Sequence, residues 1–448
     1  MKKRLCLKNG QIVTENGCIH SDLLIEDGKI SAIGRSESWN VSENAEIIDC
    51  TDRVILPGAI DAHCHIQLDT GIFQTQDDWF IGTSEAARGG ITTVVDFVGP
   101  QPGEDLRHAL DFRLKQAELG VIDYTFHMTA LDASPKTLDS IRKCYGDWGI
   151  SSLKLYTTYR PNYYLPDDAL LAILRCAAES GLTTLIHCEN DAVVTAETAL
   201  HQNEPLWRAY PEMRPAIAEV EAAQRVIRLA EYAHARVVIA HNSSADTAAA
   251  VSAARKRGVS VFNETTPQYL YLNADDNHSS PEPWRFILQP PLRTVQDNMG
   301  LQKAVKSGEI DMMITDHCAY TRDQKLSAPT GTPGGLPGLE TLLPLTAAIP
   351  GMTWCDVARV LSRNPAQIYG LWPQKGAILP GFDADLVILE DKRYIIDEKK
   401  LTTFAKYSPF NGHEARGIIH RVYRRGEEIF SNNTISASRG SGLFLGKR

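Results

Sequence analysis

Eight short apolar or β-branched runs alternate with longer helical patterns, and strand-and-glycine-turn stretches flank them at both ends. Together these predict an α/β fold, a (β/α)8 barrel with a small β-sandwich domain formed from both termini. In order the runs are AIDAHCHI, TTVVDFV, YTFHMTAL, SSLKLYTTY, TTLIHCEND, RVVIAHNSS, VSVFNETTP and DMMITDHCAY. Between them, residues 104–119, 167–180 and 219–234 carry the 3.6-residue apolar period of surface helices. Alternating runs such as DLLIEDGKISAIG precede the barrel, and GAILPGFDADLVILE and GIIHRVYRRGEEIF follow it. Asn9-Gly10 and Asp27-Gly28 are hairpin signals. The expected division is 1–56 plus 376–448 for the β-sandwich and 57–375 for the barrel.

Composition narrows the function. A net charge of −9 argues against nucleic acid as the main partner, because phosphate binding needs a basic surface. No apolar run approaches the ~20 residues that cross a bilayer. The basic start MKKR is not followed by the apolar stretch of a signal peptide, so no membrane partner is expected. The nine cysteines are scattered without a CxxC pair, which reads as small buried thiols in a reducing cytoplasm.

In five of the eight runs a polar residue stands where the apolar strand gives out: His63 with His65, Lys154, His187, His241 and Asp316. Parallel barrel strands bring those carboxyl ends together on one face, where barrel active sites lie. Residues two apart on a strand point the same way, so His63 and His65 face one side and Cys64 the other. On the same logic Asp61 shares the inward face one layer deeper, as a partner beneath the ligands. Any one of these histidines alone reads as a hydrogen-bonded core residue. As a set, four imidazoles and a carboxylate suit zinc or a similar divalent ion. Lys154 stands within an apolar strand, where an ammonium is costly to bury. It is either a snorkelling or paired lysine, or its amine is carboxylated by CO2 to an anionic carbamate able to bridge two metals. Cys188 alternates away from His187 and reads as packing, and His317 alternates away from Asp316 and reads either as a partner behind the ligands or as structural.

DAHCHI, GGITTVVDF, SSLKLYTTY, IHCEND, VVIAHNSS, NETTPQYLYL, QPPLR, ITDHCAY, GLPGLE and PGFDADLVI, in this order, resemble the amidohydrolase superfamily and, within it, the dihydropyrimidinase/hydantoinase family. The resemblance covers essentially the whole chain; KLYTTY, YGLWPQKG and YSPFNG are most similar to its phenylhydantoinase-type members. It implies two divalent ions, zinc or manganese. His63, His65, Lys154 and Asp316 would bind one, and Lys154, His187 and His241 the other, with Lys154 shared as N6-carboxylysine. It also implies that Asp316 takes a proton from the attacking hydroxide and passes it to the leaving nitrogen, and that Tyr159 donates to the developing oxyanion. The substrate would be a cyclic amide or ureide of the hydantoin or dihydropyrimidine type, opened to an N-carbamoyl amino acid, and the assembly a homotetramer.

Two positions depart from the family pattern. Gln289 precedes Pro290-Pro291 where serine is common, and Gly334 precedes Gly335 where asparagine is common. Both belong to the implied substrate-binding set with Tyr159. The loops 66–80 and 159–165 bring Ile66, Leu68, Ile72, Phe73, Tyr163 and Tyr164 to the mouth, either as rim packing or as a pocket for a ring substituent. An allantoinase- or dihydroorotase-like activity, towards which GLPGLETLLPL leans, would need a cation at the mouth, and Arg160 is the one present. A non-catalytic scaffold of the same fold would lack metal ligands, and this chain keeps every one.

Overall fold

The computed structural model describes residues 4–39, 45–70, 73–326 and 332–446. The N-terminal stretch forms β1 (Arg4–Thr14), β2 (Gly17–Glu26), β3 (Lys29–Gly34), β4 (Glu46–Asp49) and β5 (Val54–Pro57). Asp27-Gly28 makes the tight turn between β2 and β3, both residues with positive φ. Asn9-Gly10 does not make a hairpin. It forms a bulge inside the single strand β1, where Asn9 has a φ of 63° and the register against β2 shifts. Packing decides this: a Cβ on Gly10 would sit 2.5 Å from Ile55 Cδ1, and the Asn9 amide donates to Asp22 at 2.8 Å.

The barrel strands follow: β6 (Ala59–Asp61), β7 (Ile91–Val98), β8 (Asp123–Thr129), β9 (Ser152–Tyr156), β10 (Thr183–His187), β11 (Arg236–Ile239), β12 (Val261–Thr265) and β13 (Met312–Met313). They pair in parallel in sequence order, so all eight apolar runs become neighbouring strands of one sheet. Every residue of β7 is buried, as expected where one face lines the barrel and the other meets helices. The predicted helices are Leu106–Ala117, Asp167–Glu179 and Ala216–Ala233. The last starts earlier than its apolar period indicates because Pro215, at φ −65°, serves as its N-cap. No helix among the described residues is long and apolar enough to cross a membrane.

The chain returns as β14 (Leu386–Ile395), β15 (Glu414–Arg424), β16 (Glu427–Ser431) and β17 (Thr434–Ile435). These join the N-terminal strands in a nine-stranded sheet through the β5–β14 pair. Its pairings are antiparallel except those of β1 with β4 and β5. The sheet encloses its own core, including Leu7, Ile12, Leu23, Ile30, Phe382 and Ile388.

A buried ionic clamp ties this sheet to the barrel. Lys375 Nζ, 1% exposed, donates to Asp123 at the start of β8 (2.6 Å) and to Asp385 just before β14 (2.7 Å), and Asp383 lies 3.1 Å away. Removing one partner of a buried ion pair strands the others without compensation. Lys375→Met is therefore expected to cost about 3–5 kcal/mol in denaturant unfolding. A loss below about 1 kcal/mol, the scale of an exposed pair, would overturn the clamp.

Candidate metal centre

The first and eighth barrel strands are too short to pair along their length, and the chain closes the barrel just beyond them. The Asp316 amide donates to the His63 carbonyl at 2.9 Å, and the His65 amide to the His317 carbonyl at 2.7 Å. Three of the predicted ligands thus lie on the closing seam. His63 Nε2 and His65 Nε2 each stand 3.3 Å from Asp316 Oδ1, and ligand atoms of the three residues all fall within 4.8 Å of one another. Phe97 of β7 floors the site, its ring 4.7 Å from that of His63 and 4.5 Å from that of His65.

Lys154 is 1% exposed, with Nζ 3.5 Å from His63 Nε2 and the Phe97 and Tyr156 rings on either side. Burial pulls its ammonium down to about 8, although Glu264 and Asp316 oppose the shift. The neutral amine, the form that adds to CO2, is therefore within reach near neutral pH. His187 and His241 complete the ring of imidazoles: their ring centroids are 4.5 Å apart, and those of His241 and His63 5.3 Å. All six predicted ligands gather at one place. His241 and Asp316, with Tyr159, also have positive φ (32°, 49° and 74°), a costly backbone that persists where the surroundings impose it.

Cys64 is fully buried among the residues between strands and helices, with Sγ 3.9 Å from Asp96 Oδ2, and takes no part in the site. Asp61 departs from the predicted geometry. Ile60 and Ala62 belong to the barrel interior while Cys64 lies outside it, so the strand alternation slips after Ala62, just beyond the last ladder residue. Asp61 consequently faces the seam, accepting from the Thr315 amide (3.0 Å) and hydroxyl (2.5 Å) and from the His63 amide (3.4 Å), so it braces the backbone of His63 and of the residue before Asp316 from beside and not from a deeper layer. Cys188 packs in the outer core, and His317 meets Asp77 at 3.1 Å behind the seam.

The carboxylates behind the histidines were not singled out from the sequence. Glu264, at the end of the β12 run VFNETTP, touches His63 Nδ1 and accepts from the His241 amide at 3.3 Å. Glu189, two residues beyond His187, meets His187 Nε2 at 2.6 Å and is itself gripped by Arg214. Burial opposes the charge on Glu189, but Arg214 and His187 together hold its carboxyl near 2. Carboxylates in these places orient an imidazole and leave its other nitrogen for a cation. Both were signalled as acids at strand ends, the same criterion that picked out Asp316.

The donor set fits divalent cations. Burial pushes His63, His187 and His241 below the ordinary imidazole range, which leaves their rings neutral with a nitrogen lone pair to offer. His241 Nδ1 and Glu264 Oε2 are buried polar atoms with no hydrogen-bond partner. Tyr159 stands beside this cluster, its hydroxyl 3.3 Å from His187 Nε2, and burial keeps its phenol protonated. Gln289 and Gly334, both half-buried, lie against each other on segments following β12 and β13. At the mouth, Arg160 bonds Asp191 at 2.7 Å and stacks 3.6 Å over Tyr164, while Phe73 faces Tyr320; Ile72 lies outside the described residues.

Known proteins share this fold. Residues 54–429 match the amidohydrolase family model. The D-phenylhydantoinase of Escherichia coli O9:H4 is 37% identical over 459 aligned positions, covering 99% of this chain and 98% of the relative. The dihydropyrimidinase of Brevibacillus agri NCHU1002 superposes with a TM-score of 0.94 at 31% identity, covering 99% and 98% of the two chains. The L-hydantoinase of Arthrobacter aurescens does so at 0.90 and 26%, each chain covered in full. The chain belongs to the amidohydrolase family, with hydantoinases among its full-length relatives.

Proposed function

We propose that this protein is a binuclear-metal cyclic amidohydrolase that opens a hydantoin- or dihydropyrimidine-type ring to an N-carbamoyl amino acid. The observation that carries this is the convergence of four imidazoles, a carboxylate and a buried lysine at the strand ends of a barrel whose full-length relatives are hydantoinases. His63, His65 and Asp316 would hold one ion, His187 and His241 the other, and Lys154 both, as its carbamate. Zinc or manganese there supplies an acidified water and a polarised substrate carbonyl.

The chain's own groups account for the proton movements. Asp316 Oδ accepts the proton of the attacking water and returns it to the ring nitrogen as the C–N bond breaks, one carboxylate serving as base and then as acid. The Tyr159 hydroxyl donates to the oxygen that becomes negative as the carbonyl carbon turns tetrahedral. Glu264 and Glu189 keep His63 and His187 in place. Tyr163 and Tyr164 offer an apolar, aromatic surface to a ring substituent. A dihydroorotase- or allantoinase-like substrate is the weaker reading, because Arg160 is already engaged by Asp191 and Tyr164. The nine free thiols support a reducing, cytoplasmic setting, and resemblance to the family supports a homotetramer.

The first test is a hydrolysis panel with zinc- or manganese-loaded protein on hydantoin, 5-phenylhydantoin, dihydrouracil, allantoin and dihydroorotate. Opening of the first three, abolished by chelation and restored by metal, is expected; a well-folded protein that takes up no metal would sink the assignment. Lys154→Ala should lose metal and activity and regain part of both with short carboxylic acids, whereas retention of two ions would exclude the bridging carbamate. Asp316→Asn should lower kcat by about 10²–10⁴, the usual range for a lost general base, in protein that still scatters and unfolds as wild type.

A further inference from the structure

Seven of the nine cysteines are buried, as small packed thiols should be, but Cys18 is exposed and Cys355 half-buried. These two meet across 337 positions of chain, with their sulfurs 3.7 Å apart. Cys18 stands at the start of β2, and Cys355 lies on the helix Trp354–Ala358. The contact therefore joins the nine-stranded sheet to a helix that follows the barrel strands.

Both thiols are presented by fixed scaffolds. Cys18 sits opposite Val13 in the ladder between β1 and β2. Beside Cys355, the Thr353 hydroxyl caps the helix by accepting from the Asp356 amide at 3.2 Å. The Trp354 indole donates to Asp391 at 3.0 Å, with the Arg416 guanidinium 4.6 Å over its ring. A disulfide brings its sulfurs to about 2.05 Å, so closure from 3.7 Å needs a movement of roughly 1.7 Å. Rotation of the two side chains supplies a movement of that size, and the fold has already brought the distant segments together. A cleft lined by Thr14, Glu15, Arg359 and Arg363 opens beside Cys355, and with the exposure of Cys18 it leaves the pair open to small molecules.

We propose that Cys18 and Cys355 form a reversible redox staple, open in a reducing thiol pool and closed by a small-molecule disulfide when that pool turns oxidising. The exposed Cys18, as thiolate, attacks one sulfur of the oxidant RS–SR, forming a mixed disulfide and releasing RS⁻. Cys355, deprotonated in turn, attacks the Cys18 sulfur and releases the second RS⁻. The pair loses two electrons and two protons, and the oxidant is reduced to two RSH. Burial, with the neighbouring Cys355 thiol, raises the Cys18 thiol to about 11. Little thiolate stands ready at pH 7, and the entry step quickens about tenfold per pH unit below that value. Once formed, the bond encloses most of the chain and restricts the unfolded protein, the source of a disulfide's stabilisation.

The test treats the full chain with oxidised glutathione at pH 7, 8 and 9. Thiols are counted by alkylation after denaturation, and linked peptides are mapped by mass spectrometry. Two fewer thiols than the nine of the untreated protein, a Cys18–Cys355 peptide and reversal by dithiothreitol are expected. The rate should rise about tenfold from pH 7 to pH 8, and the linked protein should melt about 2–4 °C higher. Cys355→Ser should stop at a mixed disulfide on Cys18, and Cys18→Ser should form no cross-link. Nine thiols remaining, a stable glutathione adduct on wild-type Cys18, or a cross-link through other cysteines would overturn the staple. A linked protein with unchanged Tm would overturn its stabilising role, and a rate independent of pH would overturn Cys18 as the point of entry. None of these readouts depends on the ring the enzyme opens.

Discussion

The site depends on how the barrel closes. β6 and β13 contribute only three and two ladder residues, so the joint between first and last strand is made by the segments just beyond them. There the backbones of His63, His65, Asp316 and His317 bond one another directly, and Asp61 locks Thr315 from beside. Backbone hydrogen bonding, a structural necessity for a closed sheet, thereby sets the spacing between two imidazoles and a carboxylate.

Burial then does most of the electrostatic work. The same desolvation that holds three of the imidazoles unprotonated also brings the Lys154 ammonium down to about 8, nearer to the neutral amine. Around them stands a second set of charges with fixed partners. Arg214 keeps Glu189 ionised behind His187, while Glu264 lies between His63 and His241. Left-handed backbone at Tyr159, His241 and Asp316 is a further cost carried by the surrounding packing. Arg214 over the Tyr159 ring, and Gln289 bonded to Tyr210, extend the same web outward.

Legibility from sequence followed the range of the interaction. Apolar runs and helical periods report local burial, and every one of the eight runs became a barrel strand. Polar residues at run ends were equally readable, because strand direction in a parallel barrel sends them all to one face. Asn9-Gly10 misled because its conformational preference, a left-handed residue before glycine, serves a bulge as well as a hairpin; contact with Ile55 and Asp22 chose the bulge. Asp61 misled because strand alternation holds only while the ladder lasts, and the ladder stops at that residue. The supporting acids Glu264 and Glu189 were visible as letters, but His63 and His241, which Glu264 meets, and Arg214, which grips Glu189, lie on other strands or helices.

The amino-acid sequence by itself determined the order of the barrel strands, the two-ended β domain and the six residues gathered at the strand ends, since each is written in short-range pattern or in chain direction. Only the tertiary structure decided that the seam sets the ligand spacing, that Arg160 is already engaged at the mouth, and that Gln289 and Gly334 lie against each other. The physical reason is the same in each case: these are contacts between residues distant in the chain, and their energies depend on which volume is already filled and which charge is already paired.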